Sequence, residues 1–166
     1  MKIHDKIRNN ETYIIAEIGV NHNGDKKLLQ DLILAAHTSG ADACKFQTFK
    51  ADKLALKNTP KVQYQMSTTD SNESHWEMLK SLEFTHEMHL FAIEKCRELN
   101  LDFISTPYDP SSVEYLHSLG VRLIKTASAD IVDHRIHKKI AQLKLKPIVA
   151  VGMATINEIK LVCEIY

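Results

Sequence analysis

The stretch YIIAEIGVNHNGD, residues 13–25, decides the fold. Its first half is a short apolar, β-branched run that ends in a carboxylate, Glu17, and then a glycine. A polar turn follows, Asn21-His22-Asn23-Gly24, and then Asp25, whose side chain can accept from the free N–H groups that open a helix. Strand, tight turn and helix start in that order make one βα unit. The ending recurs. A second apolar run stops in Cys44-Lys45-Phe46-Gln47-Thr48, a third in Ser105-Thr106-Pro107 and a fourth in Lys125-Thr126-Ala127-Ser128. Polar groups suited to an anionic substrate therefore stand where successive strands stop. That is where parallel α/β proteins place their active sites.

Working outward, residues 13–19 read as a buried strand, and Asp25 as the cap of a helix with the apolar stripe Leu28, Leu32 and Ala35 or Ala36, stopped at Gly40. Residues 42–47 are the next strand. The stretch 48–80 is a long excursion, polar and without period over QYQMSTTDSNES, with a short helix near Trp76 to Lys80. Thr85 caps a helix with Met88, Phe91, Ala92, Cys96 and Leu99 on one face. Strand three is 102–105, stopped by Pro107; Ser111-x-x-Glu114 is a capping-box pattern for a helix that closes at Gly120. Strand four is 121–125. Asp133 caps a helix with Ile136, Ile140 and Leu143 inward, Pro147 opens strand five at 148–151, and Thr155-x-x-Glu158 is a second capping box. The order is βα repeated five times. Each return passes through a helix, so the sheet should be parallel.

Composition excludes several function classes. The chain has 166 residues, with 21 basic and 21 acidic side chains. That balance offers no net field to nucleic acid or a membrane surface. No apolar run approaches the roughly 20 residues of a membrane helix, and MKIHDKIRNNET carries no signal-peptide core. The three cysteines, Cys44, Cys96 and Cys163, are odd in number and widely spaced, so buried thiols in a reducing, cytoplasmic setting are expected at all three.

Two architectures fit five βα units. An open doubly wound sheet normally carries a glycine-rich phosphate loop after its first strand, and GVNHNG lacks that pattern. A closed (β/α)8 barrel needs roughly 200 residues or more, and the sequence stops in a helical pattern at Cys163-Glu164-Ile165-Tyr166. The expected fold is therefore α/β: an aldolase-type TIM (β/α)8 barrel, here cut to about its first five βα units.

The segments AEIGVNHNGD, ADACKFQTF, LDFISTPYDPSSVEYLHSLGV, IKTASADIVD and KPIVAVGMATINEI resemble, in order and spacing, the sialic acid synthase family of N-acetylneuraminate, legionaminate and pseudaminate synthases. The resemblance covers residues 13–160. It implies that phosphoenolpyruvate condenses with an N-acylated hexosamine, such as N-acetylmannosamine, to a nine-carbon 2-keto acid and phosphate. It also implies a barrel followed by an antifreeze-like C-terminal domain, a homodimer, and a divalent metal, Mn2+ or Mg2+, held by two histidines on later strands. Residues 1–166 match only the N-terminal part of that barrel; the metal ligands and the C-terminal domain are absent, and the chain alone is expected to be inactive.

Carried over position by position, Lys45 and Lys125 resemble the lysines that grip phosphoenolpyruvate, and Thr106 and Ser128 the hydroxyl donors to its phosphate or carboxylate. Glu17 and Gln47 resemble sugar-side contacts, with Glu17 also a candidate base for adding water. Asp130 falls where some members have a substrate-touching glutamate. Many members read STGM where this chain has Ala150-Val151-Gly152-Met153, so a phosphate-side hydroxyl is missing at Ala150. Two lysines suit a donor with two anionic groups, because point charges neutralise it while hydroxyls orient it.

Each residue also has a plainer reading. Glu17 can be a structural ion pair, the lysines solvated strand ends, and Thr106 a strand terminator. His22 can line the pocket or sit on a surface loop. The pairs His86/His89 and His134/His137 have helical spacing, but lie near helix starts on the outer side, away from a barrel mouth. Two rival functions stand beside the synthase: a related phosphoenolpyruvate-dependent 3-deoxy-sugar-acid synthase, against which NHNGD and TPYD argue, and a non-catalytic anion-binding fragment or pseudoenzyme.

Overall fold

The computed structural model describes residues 2–57 and 74–166. Strands β1 (Ile15–Gly19), β2 (Ala43–Thr48), β3 (Asp102–Pro107), β4 (Leu123–Thr126) and β5 (Lys146–Val149) form one parallel sheet in the order β1-β2-β3-β4-β5. The order follows the chain without the reversal of a doubly wound sheet. Helices α2 (Lys26–Thr38), α5 (His86–Glu98), α6 (Pro110–Ser118) and α7 (His134–Gln142) connect successive strands, and α8 (Ile156–Cys163) follows β5. Two short helices, α3 (Ala51–Leu54) and α4 (His75–Ser81), lie between β2 and α5. The middle of the polar excursion, 58–73, falls outside the described residues.

The helices cover one face. Leu29, Ile33 and Ala36 of α2 and Met88, Ala92 and Cys96 of α5 close over Ile18, Cys44 and Phe46. Val113 and Leu116 of α6 and Ile136 and Ile140 of α7 close over Ile124. The opposite face carries a separate cluster of Ala43, Ile104 and Leu123 with Ile15 and Ile148 at its edge. The sheet thus has a helical layer on one face and an aliphatic cluster on the other. Helix α1 (Lys2–Arg8), which the polar N-terminal sequence did not suggest, sends Ile3 against the inner cluster. Lys6 of α1 pairs with Asp42 at 2.8 Å, and Asp42 also accepts from the Ile14 N–H.

Several local expectations need correction. The stripe of α2 is turned by one residue: Leu29, Ile33 and Ala36 are buried, whereas Leu28 and Ala35 are exposed. The i, i+4, i+7 set faces the sheet, and Leu32 covers only its flank. The capping box at Ser111 does not form. Asp109 caps α6 instead, accepting from the Ser111 and Ser112 N–H groups with Pro110 at the first helical position. The box at Thr155 and Glu158 does form. Cys44 and Cys96 are buried but Cys163 is exposed, because α8 turns that position outward.

Three histidines are fully enclosed, His22, His89 and His137. His89 donates from Nδ1 to the Thr85 carbonyl (2.8 Å) and accepts at Nε2 from Thr48 (2.9 Å), whose hydroxyl also meets Ser105 (2.7 Å). A neutral ring satisfies both of its nitrogens in this chain. Burial holds the His89 pKa down to about 4. It lowers His22 and His137 as well.

Two predictions follow from these contacts. An unfolded histidine takes up a proton near pH 6.5 while folded His89 refuses it until about pH 4, so stability is full above pH 6.5 and is lost as pH falls through that window. The loss from His89 should be on the order of 3 kcal/mol, and denaturant unfolding of His89→Gln across the window should show a shallower slope. Asp109 also receives Ser111, Ser112 and Lys53 side chains. Asp109→Ala should cost about 2 kcal/mol by the same measurement.

Candidate active site

Side chains two apart along a strand share a face, and the register carries that rule across the sheet. Glu17 stands beside Lys45, and Lys45 beside Ile104 of the inner cluster. One step outward Gln47 stands beside Thr106. The pairing of Ser105 with Ile124 puts Lys125 next along that row, and Lys125 pairs with Ile148, another inner-cluster residue. Five of the expected site residues, Glu17, Lys45, Gln47, Thr106 and Lys125, therefore point from the inner face at the C-terminal ends of four different strands.

Backbone irregularity sharpens this end. The register slips between Glu17 and Gly19, and Gly19 has φ +57°, which L side chains adopt with strain. A Cβ there would stand 3.2 Å from Glu17 Oε1 and 3.7 Å from Gln47 Nε2. Gly19 thus leaves clear the space beside the Glu17 and Gln47 head groups.

Lys45 is only 8% exposed, and its ammonium is paired with the Glu17 carboxylate. The structural ion pair anticipated for Glu17 thus exists, but it joins two residues of the same site. Lys125 donates to the Thr126 carbonyl at 3.3 Å. Burial, followed by the charge of Lys45, lowers its pKa below the ordinary lysine value, while Glu17 partly offsets them. Two ammonium groups and the Glu17 carboxylate thus share this inner face. Thr106 Oγ1 is buried beside them with no hydrogen-bond partner among the described residues. An orphaned hydroxyl is costly unless something else bonds it.

The remaining two residues sit in a 3-10 turn, Ser128–Val132, that the sequence reading missed. Ser128 Oγ lies 3.2 Å from where a Gly152 Cβ would be, so the loop after β5 closes on it without a side chain. Asp130 Oδ2 is buried and unpaired. Burial first, then the charge of Asp133, raises its pKa above the usual carboxylate value. His137 holds the turn from behind: Nε2 donates to the Asp130 carbonyl at 3.2 Å, and Nδ1 accepts from the Tyr166 hydroxyl at 2.9 Å. His137 thus supports a site loop, and its helical spacing to His134 reflects packing.

Two other expectations resolve differently. His22 neither lines the inner face nor lies on the surface. It is fully buried in the helical layer with its ring 5.0 Å from Phe84, and Nδ1 accepts from the Gly24 N–H. Its Nε2 has no partner. His86 meets the Tyr115 hydroxyl while His89 turns inward, so that pair does not converge. Among the described residues no group of three or more His, Cys, Asp or Glu side chains is placed to hold a metal ion. The side chains present do not fit the divalent cation that the resemblance implies.

Tyr108, in the bend after β3, meets Phe49 edge-on with ring centroids 6.0 Å apart.

The model of the NeuB family matches residues 32–166. The N,N'-diacetyllegionaminic acid synthase of Legionella pneumophila is 41% identical over 92% of this chain and 43% of its own length. That of Campylobacter jejuni is 43% identical over 90% of this chain and 45% of its own. The structure of an N-acetylneuraminic acid synthetase from Leptospira borgpetersenii, solved with citrate, superposes with a TM-score of 0.77 at 28% identity, over 92% of this chain and 49% of that one. The chain thus spans less than half the length of these relatives. No helix among the described residues is long and apolar enough to cross a membrane. With the family model matching residues 32–166 and with relatives that are legionaminic and pseudaminic acid synthases, this chain belongs to the NeuB family.

Proposed function

We propose that this chain is the donor-binding wall of a (β/α)8 synthase that joins phosphoenolpyruvate to an N-acylated hexosamine. The net reaction consumes one water and gives a nine-carbon 2-keto sugar acid and inorganic phosphate. The observation that carries the reading is the buried, unpartnered Thr106 hydroxyl beside two inner lysines. The names of the relatives support the product class.

In this reading Lys45 and Lys125 bind the two anionic groups of the donor, and Thr106 and Ser128 orient them. Lys45 exchanges its Glu17 partner for the donor, which frees the Glu17 carboxylate for water or for a sugar hydroxyl. Asp130, with a raised pKa, is suited to hold or pass a proton at the acceptor side. Holding both substrates in line contributes several kcal/mol to such a condensation. Assembly with further barrel strands and as a homodimer belongs to the same proposal.

Calorimetric titration of the chain with phosphoenolpyruvate tests this directly. Binding is expected, and Lys45→Ala should weaken it roughly 10- to 100-fold, the loss of one charge-assisted contact. Absence of binding, or binding indifferent to Lys45→Ala, would refute the reading. Because Lys125 releases its proton at lower pH than an ordinary lysine, affinity should fall as pH rises toward that lowered value. Lys125→Arg, which stays charged, should remove the alkaline decline.

A further inference from the structure

The turn that carries Ser128 and Asp130 is held by few bonds. It is one short 3-10 segment, Ser128–Val132, and Ala127 at its start gives it no side-chain cap. Such segments have poorer hydrogen-bond geometry than an α-helix. Its backbone bonds run from the Asp130 N–H to the Ala127 carbonyl at 3.1 Å and from the Asp133 N–H to the Asp130 carbonyl at 2.9 Å. Among the described residues, one side chain alone bonds the backbone of this turn. It is His137, whose Nε2 donates to the same Asp130 carbonyl at 3.2 Å. On the other side the loop after β5 lies close, since a Cβ at Gly152 would stand 3.2 Å from Ser128 Oγ.

The His137 ring is fully buried. A carbonyl only accepts, so Nε2 carries the proton. In the neutral ring Nδ1 is then the acceptor, and the Tyr166 hydroxyl donates to it at 2.9 Å. The two rings meet edge-on with centroids 5.8 Å apart. Tyr166 follows α8, and α8 packs against the turn. The opposite tautomer would aim a lone pair at the Asp130 carbonyl oxygen. The phenol therefore selects the ring state that ties the turn down.

We propose that His137 and Tyr166 are positioning residues for the donor. The Tyr166 hydroxyl holds the His137 ring in the tautomer that grips the Asp130 carbonyl, and that grip sets where the Ser128 hydroxyl stands. Both act from behind the turn. The inference rests on the synthase reading, which gives Ser128 its contact with the donor. A hydroxyl bond is made only between about 2.5 and 3.0 Å, so a displacement of about 1 Å in the turn forfeits it.

Calorimetric titration with phosphoenolpyruvate reads this role. Tyr166→Phe keeps the ring and removes only the hydroxyl; it should weaken the donor about 5-fold, and His137→Leu about 10-fold. Ser128→Ala should also weaken it about 10-fold. Adding His137→Leu or Tyr166→Phe to Ser128→Ala should then cost less than a further twofold, because the hydroxyl being positioned is already gone. Ile140→Val, a buried change on the same helix, should lower stability and leave affinity within twofold. Affinity unchanged in Tyr166→Phe and His137→Leu, losses that add in full to that of Ser128→Ala, or an equal loss in Ile140→Val would each overturn the positioning role and leave the donor reading standing. If His137→Leu fails to fold, Tyr166→Phe, alone and with Ser128→Ala, decides by the same criteria. Failure of the unaltered chain to bind phosphoenolpyruvate would bring down both.

Discussion

Everything at the functional end depends on parallel register. Parallel strands in chain order place residue after residue of one alternation class on one face. Here that class is Ile15 and Glu17, then Ala43, Lys45 and Gln47, then Ile104 and Thr106, then Leu123 and Lys125. Within each strand the apolar member lies low and the polar member lies high. Hydrophobic burial thus fixes the register, and the register delivers the polar groups. A slip of one residue would send Lys45 into the helical layer against Leu29 and Met88, and Cys44 or Phe46 into the pocket. The cost of burying a charge among aliphatic side chains makes that slip prohibitive. The fold is specified by the same alternation that assembles the site.

The second constraint is electrostatic. An almost enclosed lysine, Lys45, needs a counter-charge, and Glu17 supplies it in the absence of ligand. The pair is one exchange away from a different partner, because half of the Glu17 side chain remains exposed. Among the described residues Lys125 has no such carboxylate in contact, and burial first, then the charge of Lys45, lowers its proton affinity. An incoming dianion would relieve both.

Much of this was legible in the sequence because strands, caps and stops are local. Asp25, Thr85, Asp133 and Thr155 each cap the helix their position suggested. What escaped was set by packing. The one-residue rotation of α2 depends on where the sheet lies, which helical periodicity alone cannot say. Asp109 displaced Ser111 as the cap because an aspartate followed by proline reaches two N–H groups at once. Among the site residues, the strand-end positions followed from motif order. The 3-10 turn carrying Ser128 and Asp130 and the buttress from His137 arise from contacts between segments far apart in the chain. His22 was misread because a polar turn looks like surface, whereas Phe84 covers it.

Helix α1 gives the inner face a floor. Ile3 lies on the aliphatic cluster, Lys6 is tied to Asp42, and Tyr13 donates to Asp102 at 2.6 Å beside it. Removing this segment would therefore bare aliphatic surface and strip Asp42 of its counter-charge, at the end of the sheet remote from the lysines.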